Sequence, residues 1–367
     1  MNFIQTFMDG EEGLFKPNSL TPMQKMILRF VVVGLVYYLF ALVEGMLMRV
    51  YQVTPIAAIP PDQYFGMLTA HPLVGIFGST YSIVFGAFLF LVPFLMSKPL
   101  WSIKLANWTC GLIAVGTFTF WFAGFLTHYA PLYTLYWPLP ADFTQFSVWG
   151  GTFFILGIAL IMVGTVFFVL NIFRTIAYTP EGWEKQDGKG LIASALGLSG
   201  LKNLFRKNKK EHMVSLPVAA IARGTVDTAL NAGIILFTGV LILVYMIAEL
   251  LGSSLKHSSI DALLYKNWFW WGLDLIADGL VLIFVAGTWY LLATLITGKK
   301  LFMENWARAA LFVEMVVSWT VWSHHLMSDQ AQPGILKILS GEMVTAFELI
   351  TQGLAFFITL ITLWSAR

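Results

Sequence analysis

The sequence predicts an all-α, polytopic integral membrane protein of eight transmembrane helices, with N and C termini both cytoplasmic. Three observations predict it: a composition too apolar for a soluble domain, eight long hydrophobic stretches, and a one-sided distribution of Lys and Arg in the loops. Of the 367 residues, 58% are hydrophobic and 11% charged, and the mean hydropathy is +0.75. A soluble domain of this size has too little interior to hide that much apolar surface.

A spanning helix needs about 20 mostly apolar residues. The stretches 27–48, 64–96, 106–128, 147–173, 226–251, 268–297, 306–327 and 336–365 qualify. Pro60-Pro61, Lys98-Pro99, Pro138-Leu139-Pro140 and Gln332-Pro333-Gly334 lie between them, where turn-forming residues belong. Residues 174–210 carry Arg174, Lys185, Lys189, Lys202, Arg206, Lys207, Lys209 and Lys210, which assigns this loop to the cytoplasm. Lys98, Lys104, Lys299, Lys300 and Arg308 fall on that same side if the spans number eight. The opposite loops 129–146 and 328–335 hold no Lys or Arg.

The chain therefore divides into a cytoplasmic segment 1–26, four helices in 27–173, a basic cytoplasmic loop 174–213 and four helices in 214–367. The loop reads as a solvated segment beside anionic lipid, with a short surface helix. Trp137, Trp268, Trp270, Trp271 and Trp322 read as interfacial anchors. The first 26 residues include Asp9, Glu11 and Glu12 and lack a signal-cleavage pattern, so no removed signal peptide is expected. A prokaryotic plasma membrane is the expected location.

Composition also excludes. The net charge of +2 gives no electrostatic support for nucleic acid binding. One cysteine, Cys110, rules out an intrachain disulfide, a Cys-based zinc site and iron–sulfur ligation by this chain alone. No glycine-rich phosphate loop, Ser-His-Asp order or HExxH element is present.

Ionisable groups inside a bilayer are costly, so each is a candidate for function. In the eight-span topology, His324 and His325 lie near the outer end of span seven, and Asp274 and Asp278 lie in the first turns of span six. His71 lies in the outer part of span two, and Glu348 about halfway down span eight. At ~1.5 Å per residue, Asp274 is about 10 Å below the outer entrance. All descend from one surface, where independent accidents would scatter over both leaflets. Imidazole is the commonest ligand for haem iron, copper and non-haem iron, and carboxylate suits iron. Asp274 and Asp278, four apart, share a helical face. Bland readings stand beside these: a snorkelled His-His pair, a kink at Pro72 beside His71, and an acidic pair that lines a hydrated vestibule or partners Arg223. His128, His212, His257, Glu44, Glu249 and Glu314 are weaker candidates, the glutamates for a proton path or for helix-to-helix hydrogen bonding.

The segment AHPLVGIFGSTYSIVFGAFLFLVP (70–93) resembles helix II of the large, haem-bearing subunit of the haem–copper oxidase superfamily. FFVLNIFRTI (167–176) and SLPVAAIA (215–222) resemble that family's helix IV exit and helix V entrance. WGLDLIADG (271–279) occupies the helix VI place, and VWSHHLMSD (321–329) resembles the paired histidines of helix VII. Within the superfamily, GEMVTAFELI (341–350) looks most like the nitric oxide reductase branch, which has a glutamate at the place of Glu348. No tyrosine on spans six or seven matches the oxidases' His-linked tyrosine, since Tyr290 is too far along span six.

The resemblance implies a respiratory terminal reductase passing electrons to dioxygen or nitric oxide. His71 would ligate a low-spin haem. His324, His325 and Asp274 would hold a non-haem iron or copper facing a high-spin haem shared with a partner chain. Asp278 and Glu348 would deliver protons or tune the metal. Asp274 stands where the family has a histidine, which favours iron. The family continues for further helices bearing a His-x-His, absent here, so the expectation is a split subunit whose partner carries them. Other respiratory-complex subunits, a cytochrome or quinol donor and membrane lipid are the expected partners. Two other readings remain: a non-catalytic structural or electron-relay subunit, and a proton or ion transporter with buried carboxylates. The transporter reading expects internal repeats, and none is seen.

Overall fold

The structure is a computed structural model that describes residues 20–54, 59–208, 210–252, 261–282, 288–322, 324–328 and 332–366, with the side chains of 277–282 outside the description. His257 and Lys209 lie outside the described residues. Among the described residues all regular secondary structure is helical and no strand occurs.

Local sequence sets the helix ends. Thr21 and Gln24 exchange side-chain-to-amide hydrogen bonds of 3.2 and 2.8 Å, a capping box that opens α1 (Pro22–Val53). Pro22 occupies the first turn, where no amide hydrogen is needed. Ser102 and Ser147 cap α3 (Ile103–Thr127) and α4 (Val148–Ala177) by accepting from the amides of Leu105 and Gly150. Helix α2 runs Pro61–Leu95. His128 closes α3 in the left-handed region at φ 53°. The basic loop contains α5 (Gly188–Ala195) and α6 (Leu198–Leu204). Then come α7 (Leu216–Leu250), α8 (Ala262–Leu282), α9 (Trp289–Thr297), α10 (Glu304–Ser318) and α11 (Gly334–Trp364).

Six of these helices, α1, α2, α3, α4, α7 and α11, are long and apolar enough to cross a membrane. The sixth span of the sequence reading corresponds to α8 and α9, which flank undescribed residues 283–287. The seventh differs from expectation: α10 stops at Ser318 rather than continuing to 327. Helix α7 differs the other way, starting at Leu216 instead of 226, and so carries Arg223 inside the helix. A hydropathy reading stops short of an arginine; the fold includes it by giving it a partner on the next turn.

Small residues bring the helices together. A Cβ on Gly116 of α3 would sit 2.6 Å from the Gly157 carbonyl oxygen of α4, and one on Gly157 would meet the Gly116 carbonyl at the same distance. Phe85 of α2 stacks on Phe168 of α4 at 3.8 Å between centroids. Buried amides and hydroxyls supply directional ties, which hydrocarbon cannot satisfy otherwise. Asn231 of α7 accepts from the Tyr81 hydroxyl at 3.0 Å and donates to the Gly272 carbonyl of α8 at 2.5 Å. That amide joins α2, α7 and α8.

The basic loop keeps its described Lys and Arg side chains exposed, while α6 docks on α10. A Cβ on Gly200 would lie 2.2 Å from Cβ of Arg308, so only glycine lets α6 lie on α10. His212 bridges Ser199 and Asn305, each at 2.9 Å, and its burial lowers its pKa. Lys98, 5% exposed, donates to the carbonyls of Ile176 and Tyr178 at 2.7 and 3.1 Å. Burial pulls its pKa down to about 8.

Candidate metal centre and histidine pocket

Asp274 projects from α8 and is 5% exposed. Its Oδ1 lies 2.8 Å from His325 Nε2 and its Oδ2 lies 3.2 Å from His324 Nδ1. His324 Nε2 lies 3.2 Å from the Thr345 hydroxyl of α11. One donor atom from each of Asp274, His324 and His325 falls within 4.8 Å of the others, a spacing that one metal ion can bridge.

The early end of α10 makes this geometry accessible. Neighbouring side chains on an α-helix diverge by about 100°. Beyond Ser318 the chain turns and re-forms as a 3-10 turn, His324–Leu326. Out of the α-helix, both imidazoles reach one carboxylate. The expected helical histidine pair is thus a pair on a tight turn.

The tryptophans are placed around this site. Trp270 packs on His325 with ring centroids 4.7 Å apart, and its indole N–H donates to the Tyr136 hydroxyl from the loop after α3. Trp322 contacts Trp268 and Trp271 at 5.4 and 5.5 Å. Of these four, read from sequence as interfacial anchors, Trp270 packs on His325 of the triad, and Trp268, Trp271 and Trp322 pack on one another. Trp137 packs on Tyr245 at 5.0 Å.

Glu348 of α11 is within electrostatic reach of His324, Asp274, Arg223 and His325. Its Oε1 is buried without a hydrogen-bond partner. Asp278 falls within α8, but its side chain lies outside the described residues. Arg223, for which the sequence reading offers the Asp274 and Asp278 pair, has a partner in its own helix. It pairs with Asp227, one turn along α7, both fully buried, and donates to Ser318 Oγ at 3.1 Å. Sequence reasoning missed Asp227; its i,i+4 spacing from Arg223 was the available signal.

His71 belongs to a different pocket. Pro72 follows it inside α2, and residues Val74–Thr80 wind as a π-helix. Proline removes one ladder hydrogen bond, and π turns commonly re-aim side chains at functional sites. The resulting cavity of about 590 Å³ is lined by His71, Gly45, Gly75, Ser79, Arg49 and Tyr38, among others. A Cβ on Gly45 would lie 3.0 Å from His71 Cε1, so α1 passes the ring closely. His71 Nδ1 is buried without a partner.

The remaining candidates are tied into the structure elsewhere. His128 Nδ1 lies 2.5 Å from Asp62 Oδ2. Glu44 accepts from the Trp121 indole at 2.8 Å.

Taken together, the helices and the two histidine sites define a multi-pass membrane protein with a candidate metal centre and a separate imidazole-lined cavity. The family model for cytochrome c and quinol oxidase polypeptide I matches residues 25–367, and the chain belongs to that family. Its members are large subunits of haem–copper oxidases, integral membrane oxidoreductases of respiratory electron transfer. They bind haem with copper or a non-haem metal, within multi-subunit complexes served by cytochrome or quinol donors. A search of the curated proteins found no match.

Proposed function

We propose that this chain is the haem-bearing subunit of a respiratory terminal reductase that delivers electrons to nitric oxide or dioxygen, with nitric oxide favoured. The observation that carries the reading is the convergence of Asp274, His324 and His325, from α8 and the turn after α10, within 4.8 Å.

The donor set fits a metal ion. Two imidazoles and a carboxylate with room for further ligands is a set that suits non-haem iron better than copper. The cavity beside His71 fits the edge of a planar ring: its wall is thinned by Gly45 and Gly75, and the imidazole has an unsatisfied nitrogen. His71 would hold a low-spin haem. The remaining haem ligands would come from a partner chain carrying the His-x-His. When bound, these groups would supply electrons and hold and polarise a diatomic substrate.

The chain's own residues do the rest. Asp274 fixes both rings, so the donors are arranged before a metal arrives. Trp270 packs against His325 and, held by Tyr136, limits its rotation. Glu348, facing His324 electrostatically and with a free buried oxygen, would hold and release a proton at Oε1. Asp278 is assigned the same task from its place on α8. The N and C termini are assigned to the cytoplasm and the membrane to a prokaryotic plasma membrane.

The test is metal analysis and optical spectroscopy of the purified complex. His71→Ala should abolish the low-spin haem signal while leaving non-haem metal. Asp274→Ala should weaken the non-haem metal at least about a hundredfold, since losing even an outer-shell partner of a ligand costs 10–100-fold. A wild-type complex without haem absorption, or metal content indifferent to Asp274→Ala, refutes the proposal.

A further inference from the structure

From Met343 to Trp364, helix α11 is covered by the rest of the chain along one side only, at Val344, Thr351, Ala355, Ile358, Thr359 and Thr362. Two exposed stripes run along the other side and differ in chemistry. Met343, Phe347 and Ile350 are exposed and apolar, the character of a surface that meets acyl chains. Glu342, Ala346, Leu349 and Gly353 recur at steps of four, three and four residues, the period of a helix-packing seam. All four are exposed, Leu349 at 74%, and a Cβ on Gly353 would meet open space. Thr345 and Gln352, each one residue before a small residue of the seam, are exposed on its edge.

Lipid is a poor neighbour for this second stripe. At ~1.5 Å per residue, Gln352 is about 27 Å from the Gly334 end of α11 and about 18 Å from the Trp364 end, inside the hydrocarbon. Among the described residues neither its amide nor the Glu342 carboxyl has a partner outside its own turn. Such groups are costly among acyl chains, whereas small residues at helical spacing let another helix approach and supply partners. Helix α1 shows what this chain presents to lipid. Between Arg29 and Arg49 its exposed side chains are Val, Leu, Phe, Met and a single Tyr, with no amide or acid.

The stripe also borders the candidate metal centre. The Thr345 hydroxyl lies 3.2 Å from His324 Nε2, and the His325 side chain is left 45% exposed. A helix packed on Ala346 and Gly353 lies beside the triad. A second copy of this chain does not suit the seam. Two copies inserted the same way meet about a two-fold axis along the membrane normal, which sets like residues opposite each other. Glu342 would then face Glu342 where the dielectric screens them little.

We propose that the seam of α11 from Glu342 to Gly353 docks a transmembrane helix of a different polypeptide. That helix carries a basic or amide side chain level with Glu342 and a hydrogen-bonding side chain level with Gln352. Its identity as the chain that supplies the remaining haem ligands rests on the function proposed above; the interface does not.

The experiment uses the complex in its membrane and then purified. Leu349→p-benzoylphenylalanine, irradiated in the membrane, should give one protein adduct, mapped by mass spectrometry to a transmembrane helix with those side chains. Ile350→p-benzoylphenylalanine should give lipid adducts only. Gly353→Leu should lower recovery of the adduct-forming polypeptide with this chain at least about tenfold. Ile350→Leu should leave that recovery unchanged, and both variants should keep this chain's amount and helicity in the membrane. An adduct of the Leu349 variant to lipid alone or to a second copy of this chain overturns the proposal, as does wild-type recovery in Gly353→Leu. The mapped adduct in a complex that holds no haem or metal supports the interface and overturns the redox reading. A haem-loaded complex without that adduct overturns the interface alone.

Discussion

Breaking the Arg223–Asp227 pair one partner at a time should be far more damaging than removing it whole. Both side chains are fully buried in α7, and the Arg223 guanidinium also donates to Ser318 Oγ at 3.1 Å. Asp227→Leu leaves a buried guanidinium with that hydroxyl still in place. Loss of one partner from a buried ion pair costs about 3–5 kcal/mol. The surviving hydrogen bond from a charged group, worth about 1.5–3 kcal/mol, puts the expected cost at the low end, about 3 kcal/mol. Arg223→Leu strands the carboxylate, whose remaining neighbour, Ser318 Oγ, is 3.5 Å away. That carboxylate escapes part of its penalty by taking a proton, so this cost also falls near 3 kcal/mol.

The double variant removes both charges and fills the space with apolar atoms. Such replacements are near neutral or stabilising, so it should cost about 1 kcal/mol or less. The cycle then gives a coupling of at least about 4 kcal/mol, larger than ordinary neighbour couplings of about 0.5–3 kcal/mol. Reversible unfolding in mixed detergent micelles, followed by circular dichroism, measures it. A double variant whose cost equals the sum of the singles would show that the two residues do not act as a pair.

Three further outcomes are expected. Lys98 is held near pKa 8 in the fold and returns to about 10.4 on unfolding. Between these values the unfolded chain binds more protons, so this residue makes stability rise from about pH 8 to about 10.4; Lys98→Met should remove that rise, and an identical pH profile for the variant counts against the buried amine. Gly157→Leu should separate α3 from α4, because even a Cβ meets the Gly116 carbonyl at 2.6 Å; a loss of about 1–3 kcal/mol in micelle unfolding is expected, and an unchanged midpoint would contradict the close crossing. Tyr136→Phe removes the acceptor of the Trp270 indole, and metal retention at the triad should weaken by about tenfold; equal retention would mean that Trp270 does not hold His325.

Much of the site was legible because bilayer physics makes charged side chains conspicuous. His324 and His325 are 50 and 51 residues from Asp274 in sequence; shared depth puts them among the candidates, the family resemblance singles them out as a metal set, and the fold brings their donors together. Arg223 was visible in the same way, but its partner was not. Asp227 lies within the stretch counted as the fifth span and is absorbed into a hydropathy average, so the sequence reading offers the arginine only the Asp274 and Asp278 pair. For the tryptophans, composition suggests an interface, and packing adds that Trp270 leans on His325.

The amino-acid sequence by itself determined that this protein is helical and membrane-embedded, because a long apolar run must satisfy its own backbone in lipid whatever its neighbours are. It also determined which side chains are too costly to be in the bilayer without a task. The tertiary structure alone decided their partners. Whether α10 unwinds before His324 and whether Asp274 faces imidazoles or a guanidinium depend on how α7, α8, α10 and α11 pack. Those pairings are set by contacts between helices far apart in the chain, which periodicity and hydropathy along one segment do not encode.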